Sequence, residues 1–338
     1  MLVENLEEIA AYIVDDGKGI LAADESNPTC SKRFESIGVV STEEKRRDYR
    51  EMLFRSDGMP DNIGGVILFD ETIRQRAADG TLLREVIAEQ GALFGIKVDQ
   101  GLRPIDGCPS ETVTVGLDGL NERLQEYASM GAKFTKWRAV IKIGSTIPSE
   151  KCIELNMEAL ANYAALAQAN GMVPIVEPEV LMEGEHTIDS CHEVTERALK
   201  ALFKCLEQDG VNLKGSLLKP NMITAGSGCS VQASVDDVAE RTLTCLKAIV
   251  PSAVPGICFL SGGQSDLQAT AHLDAMNKIG GTPWKISFSY GRALQSSALS
   301  AWGGSPDRVR SAQDAFSHRA SMNRLAALGK WNKELEAG

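Results

Sequence analysis

Lysines and carboxylates recur along this 338-residue chain, each at or near the end of an apolar run. Asp24 closes the run Gly19 to Asp24, Lys97 and Asp99 end Phe94 to Asp99, and Lys136 and Arg138 lie on Phe134 to Ile141. Glu177 and Glu179 end the run from Val173, Lys219 ends Gly215 to Lys219, and Ser261 ends Ile257 to Ser261. Ser289 and Arg292 finish the run from Lys285 to Tyr290. Side chains alternate along an extended chain, so Lys97 shares a face with Asp99, Lys136 with Arg138, and Glu177 with Glu179. A single charge at a strand end is usually just solvated. Three strands that each end in lysine or arginine are a costly core unless the charges are paired and used.

A lysine attacks a carbonyl as the neutral amine, a form favoured by apolar surroundings and a neighbouring cation. Lys219 lies in Leu217-Leu218-Lys219-Pro220, an apolar strand end, and Lys136 or Arg138 is a candidate neighbour. Its Schiff base would turn a ketose carbonyl into an iminium electron sink, so that a carbon–carbon bond breaks without metal. Glu177 or Glu179 would shuttle protons, and Asp24 would take a hydroxyl proton from substrate. Two glycine–serine segments, Leu260-Ser261-Gly262-Gly263-Gln264-Ser265 and Ser289-Tyr290-Gly291-Arg292, follow the last two runs. Exposed backbone N–H groups, hydroxyls and Arg292 would clamp a phosphate there.

The elements that must position these groups are eight apolar runs of strand length, the remaining one being Gly65 to Asp70, alternating with helical patterns and unbroken by any linker. Most runs are too apolar to alternate cleanly, as parallel strands buried on both faces are. The expected fold is α/β, a single-domain (β/α)8 TIM barrel over residues 1–338, whose chemistry sits at the strands' carboxyl ends and whose phosphate site follows strands seven and eight. An open doubly wound sheet is the alternative, but its glycine fingerprint is missing, since Gly226-Ser227-Gly228 runs on to Val231. The spacing predicts an N-terminal helix at about 2–14 and a capping box at Ser41-Thr42-Glu43-Glu44 that opens a helix through Phe54. Pro178 conflicts with a central strand unless it lies where pairing is finishing.

Composition narrows the function. A net charge of −11 argues against broad affinity for nucleic acid or acidic membranes, so any phosphate site must concentrate cations locally. No apolar run reaches the roughly 20 residues needed to span a bilayer, and the acidic N-terminus is unlike a signal or transit peptide. Eight scattered cysteines without a C-x-x-C pair read as reduced thiols, which makes cytoplasm the default compartment. Four histidines at 186, 192, 272 and 318 show no ligand spacing, so a mechanism without metal or cofactor is expected.

The segments Gly17 to Ser26, Gly64 to Phe69, Lys136-Trp137-Arg138, Val173 to Glu179, Leu217 to Met222, Phe259 to Ser265 and Phe288 to Gln295 together resemble class I fructose-bisphosphate aldolase, in order and along almost the whole chain. The resemblance implies a (β/α)8 barrel, usually a homotetramer, that acts on sugar phosphates in glycolysis and gluconeogenesis. By it, Lys219 resembles the Schiff-base lysine, Glu177 the general acid/base and Glu179 its neighbouring carboxylate. Asp24 resembles the acid at the C4 hydroxyl, and Lys136 the cation that assists the carbinolamine. Ser261, Gly262, Ser289, Gly291 and Arg292 resemble the phosphate site beside the ketone carbon. Ser26, Lys97, Arg33 and Arg138 resemble contacts for the far phosphate, with Thr29 and Lys32 nearby.

Many relatives of that family end in a mobile tail whose terminal tyrosine assists proton transfer at C3. Here the last tyrosine is Tyr290 and no extended tail is expected, so proton exchange on the enamine should be slow relative to cleavage. Release of tritium from C3-labelled dihydroxyacetone phosphate would measure this. The rival readings are another lysine-dependent carbon-skeleton enzyme, a zinc-dependent aldolase and a non-catalytic scaffold. Substrate profiling, chelation and the retained buried charges separate them.

Overall fold

The computed structural model describes residues 5–337. Ten strands occur in chain order: β1 (Gly19–Ala23), β2 (Ile63–Leu68), β3 (Leu93–Lys97), β4 (Leu102–Ile105), β5 (Cys108–Thr114), β6 (Phe134–Ile141), β7 (Val173–Val180), β8 (Leu217–Leu218), β9 (Gly256–Phe259) and β10 (Lys285–Tyr290). Eight of them close a parallel barrel in the order β1-β10-β9-β8-β7-β6-β3-β2, with helices between consecutive barrel strands. The (β/α)8 expectation holds. Every residue of β1, β2 and β7 is buried, which is why these segments read as continuous apolar runs.

The inward faces change character along their length. Ile20, Phe134, Val173, Ile175, Leu217 and Cys258 form an apolar layer low in the barrel. Two or four residues further along the same faces stand Asp24, Lys136, Glu177 and Lys219. Below the apolar layer, the helix Leu6–Ile13 plugs the barrel floor with Ile9, Ala10 and Ile13. Asn5 caps it by accepting a hydrogen bond from the Glu8 N–H at 2.9 Å; residues 2–4 of the expected helix lie outside the described residues. The plug comes so close to β2 that a Cβ on Gly64 would stand 2.2 Å from the Ile13 carbonyl oxygen.

Several expectations change. Thr42, not Ser41, caps the helix Glu43–Phe54, accepting from the Lys45 N–H at 3.1 Å, so Glu44 closes no reciprocal box. Pro178 lies inside β7, which pairs with β6 as far as Val180. Lys219 N–H donates to the Val176 carbonyl, so the even-numbered residues of β7 turn their backbone toward β8. Because β8 pairs only at Leu217 and Leu218, nothing opposite Pro178 needs its missing N–H. The strand expected over Gly215 to Lys219 is correspondingly short. The antiparallel pair β4–β5 lies outside the barrel and went unread, although Asp106-Gly107 between Ile105 and Cys108 is a strong hairpin signal.

Candidate active site

A cavity of about 1190 Å3 opens at the carboxyl end of the barrel, and every site residue singled out from the sequence lines it. Lys219 Nζ, almost fully buried, stands 3.2 Å from Glu177 Oε1. The other oxygen of that carboxylate is 3.4 Å from Lys136 Nζ, an ion pair that leaves Oε2 without an aligned hydrogen bond. Lys136 Nζ is also 2.7 Å from Asp24 Oδ2 and 3.9 Å from Asp99 Oδ2. Glu177 is therefore held between two lysine nitrogens, and Lys136 among three carboxylates.

The charges settle accordingly. Burial lowers the Lys136 ammonium, but Asp24, Glu177 and Asp99 more than reverse this, and its pKa lies well above the ordinary lysine value. Burial pushes the Asp24 carboxyl up, yet Lys136, Lys219 and Lys97 hold it well below the usual carboxylate range. Glu179 goes the other way: burial and the Glu177 charge raise it although Arg138 pairs with it. Asp24 thus stays ionised, Lys136 stays cationic, and Glu179 accepts a proton more readily than a free glutamate.

Strand register explains the grouping, for Lys97 sits beside Lys136 and Arg138 beside Glu177. After β9, Ser261 is buried and Gly262 adopts φ +57°, in the left-handed region that glycine enters without strain. Arg292 Nη2 donates to the Gly262 carbonyl, and Gly291 precedes the helix Arg292–Trp302, whose N-terminus meets the same part of the cavity. Ser289 Oγ is buried there without a hydrogen-bond partner. At the far end Ser26 precedes the helix Asn27–Glu35, its Oγ 3.1 Å from Thr29 Oγ1. Lys32, on the same helix, is exposed and has no ion-pair partner among the described residues.

Three expected phosphate cations are already paired: Lys97 with Asp99 at 2.6 Å, Arg33 with Glu25, and Arg138 with Glu179. Asp99 and Glu25, the carboxylates that pair with Lys97 and Arg33, differ in how legible they were. Asp99 was readable as the same-face neighbour of Lys97. Glu25 was not, because alternation turns it away from Asp24; β1 has ended at Ala23, and the chain swings Glu25 into the cavity rim, where Gln295 Nε2 donates to it at 3.0 Å. Tyr290 lies outside the cavity, its hydroxyl donating to the Ala269 carbonyl at 3.0 Å. Among the described residues no group of three or more His, Cys, Asp or Glu side chains is placed to hold a metal ion.

Known proteins resemble this chain along nearly its whole length. Residues 5–338 match the family described as fructose-bisphosphate aldolase class-I. A probable fructose-bisphosphate aldolase class 1 of Xanthomonas campestris pv. campestris is 53% identical over 334 residues, covering 98% of this chain and 99% of its own. Fructose-bisphosphate aldolase B of Bos taurus is 51% identical over 328 residues, covering 96% of this chain and 90% of its own. Among solved structures, the fructose-bisphosphate aldolase of Plasmodium falciparum, determined in complex with TRAP and a small-molecule inhibitor, superposes with a TM-score of 0.96. It is 44% identical, with 98% of this chain and 96% of that one covered.

Proposed function

The chain belongs to the class-I fructose-bisphosphate aldolase family, and from that premise we propose which of its residues carry the reaction. The enzyme is a carbon–carbon lyase that reversibly cleaves fructose 1,6-bisphosphate to dihydroxyacetone phosphate and glyceraldehyde 3-phosphate through a Schiff base, in glycolysis and gluconeogenesis. Lys219 Nζ attacks the ketone carbon; Glu177, 3.2 Å away, passes protons to the departing oxygen so that water leaves and the iminium forms. Asp24 takes the C4 hydroxyl proton, the C3–C4 bond breaks, and its electron pair enters the iminium as an enamine. The Lys136 charge, 2.7 Å from Asp24 Oδ2 and 3.4 Å from Glu177 Oε2, keeps both carboxylates oriented. Proton return to C3 and hydrolysis, with Glu177 as the relay, release the second product.

The observation that carries this reading is the chain of contacts Lys219–Glu177–Lys136–Asp24, at 3.2, 3.4 and 2.7 Å, on the inner face of a barrel floored by apolar side chains. Borohydride reduction with dihydroxyacetone phosphate, followed by peptide mass analysis, tests it. One adduct, on Lys219, is expected; an adduct elsewhere, or none, overturns the assignment.

Ser261, Gly262, Ser289, Gly291 and Arg292 take the phosphate beside the ketone in this reading, supported by the orphan Ser289 hydroxyl and the helix N-terminus at Arg292. Ser26, Lys97, Arg33 and Arg138, with Lys32, take the far phosphate. Cytoplasmic residence and a homotetramer belong to the same proposal and rest on the family resemblance. Light scattering reads the latter as roughly four times the 36.4 kDa chain mass.

A further inference from the structure

The turn after β9 is braced by two side chains that do not line the cavity, Gln264 and His272. The Gln264 backbone N–H donates to the Ser261 carbonyl at 3.1 Å, and its side-chain Nε2 donates to the same oxygen at 3.0 Å. The amide nitrogen also lies 3.6 Å from Met222 Sδ, three residues past Lys219. With Nε2 so engaged, Gln264 offers only Oε1 to the helix Asp266–Ile279, and there His272 Nδ1 meets it at 2.5 Å. An amide oxygen can only accept, so this contact puts the histidine proton on Nδ1.

His272 is 6% exposed, and burial pushes its pKa down to about 4, so a neutral ring with a fixed tautomer holds the glutamine amide. The opposite side of the turn is held by Arg292 through the Gly262 carbonyl. Between these anchors lie Gly262 and Gly263, the two residues with the greatest backbone freedom to lose when a ligand is bound. A turn fixed in advance binds without losing that freedom at the moment of capture.

We propose that His272 is a positioning residue for the phosphate beside the ketone, acting through Gln264 to hold the Ser261–Gly263 backbone in its binding conformation before substrate arrives. The proposal rests on the reading of this turn as a phosphate site. It predicts a defect in substrate capture, because neither His272 nor Gln264 lines the cavity that holds the reacting groups.

The test is a comparison of His272→Leu, His272→Asn and Gln264→Met with the wild type. Asparagine places its Nδ2 donor near the position of the imidazole Nδ1; leucine supplies no donor, and methionine at 264 removes the amide altogether. In His272→Leu and Gln264→Met the KM for fructose 1,6-bisphosphate should rise about tenfold, or about 1.4 kcal/mol, with kcat changed less than about twofold. The dihydroxyacetone phosphate concentration that half-saturates borohydride trapping should rise in parallel. His272→Asn should return both values to within about threefold of the wild type. A merely structural role would lower Tm and the yield of active enzyme without moving KM.

The proposal is overturned if folded His272→Leu keeps the wild-type KM, or if His272→Asn is as impaired as His272→Leu. Should His272→Leu fail to fold, the contrast between Gln264→Met and His272→Asn decides in the same way. Wild-type trapping at Lys219 separates the two levels of argument. If it fails, the reading of the whole site falls. If it succeeds while KM is unmoved in the variants, only the role of His272 falls.

Discussion

Asp24 shows how a strand-end carboxylate becomes a base that cannot be switched off in the working range. Its folded pKa lies below the ordinary value of 3.8, because Lys136, Lys219 and Lys97 outweigh the burial that raises it. For a carboxylate depressed in this way, the stability it contributes is fully present above the unfolded pKa and is lost as pH falls through the folded one. The urea-unfolding free energy of the wild type minus that of Asp24→Asn should hence be constant from pH 7 to about 4.5 and narrow below about 3.8. A gap that stays unchanged to about pH 3 would mean that the lysines do not hold this carboxyl down. At neutral pH the same variant should lose about 10²–10⁴-fold in cleavage rate, the usual worth of a positioned general base. The faces of Asp24, Lys136, Glu177 and Lys219 were legible in the sequence because alternation along a strand fixes them. The ion pairs were less so: Lys97 and Asp99 are same-face neighbours, but that Arg138 meets Glu179 depends on side-chain conformation and on the register between β6 and β7. Gln264 stood in the glycine–serine segment after the seventh run, but nothing in the sequence linked it to His272, a buried residue of the following helix.

At the scale of elements, the barrel holds its site at one end because the other is closed. The helix Leu6–Ile13 fills the floor, and Gly64 lets it approach β2. Adding one methyl there sets a Cβ 2.2 Å from a backbone carbonyl, which cannot rotate away as a side-chain tip could. Gly64→Ala should therefore cost about 1–3 kcal/mol, read as a lower urea midpoint at an unchanged m-value. The KM of the folded fraction should be unaltered, since the floor lies a full apolar layer below Lys219. A large KM change would show that the plug governs the site and does not merely close the barrel. Eight strands were readable because burial on both faces leaves long apolar runs. Their ends were less so, since β8 shrinks to two residues while β7 runs three beyond its expected end through Pro178. Proline counts against a strand only where a neighbour needs its N–H, and that is decided by a partner strand more than 35 residues away.

For the whole molecule the question is how a chain of net charge −11 captures a substrate bearing two phosphates. The cavity gathers Lys32, Arg33, Lys97, Arg138 and Arg292 around its rim and walls, so attraction at contact opposes repulsion at a distance. The two act over different lengths, and salt separates them. The Debye length falls from about 30 Å at 0.01 M to about 8 Å at 0.15 M, which screens charges spread over the surface but scarcely touches a phosphate within about 4 Å of a guanidinium. At about 1 M it is about 3 Å, and the contact attraction weakens as well. The KM for fructose 1,6-bisphosphate should therefore stay level or fall as ionic strength rises to about 0.15 M, and climb only toward about 1 M. A KM that rises steadily from the lowest salt would mean that the approaching substrate feels the cationic mouth alone. Lys32→Ala should raise KM at low and moderate salt and flatten the climb at high salt, because the other far-end cations Arg33, Lys97 and Arg138 already share their charge with Glu25, Asp99 and Glu179. If Lys32→Ala left the whole salt curve unchanged, the paired cations would be sufficient for the far phosphate, and the acidic surface would be opposed by the barrel mouth without help from its one exposed lysine.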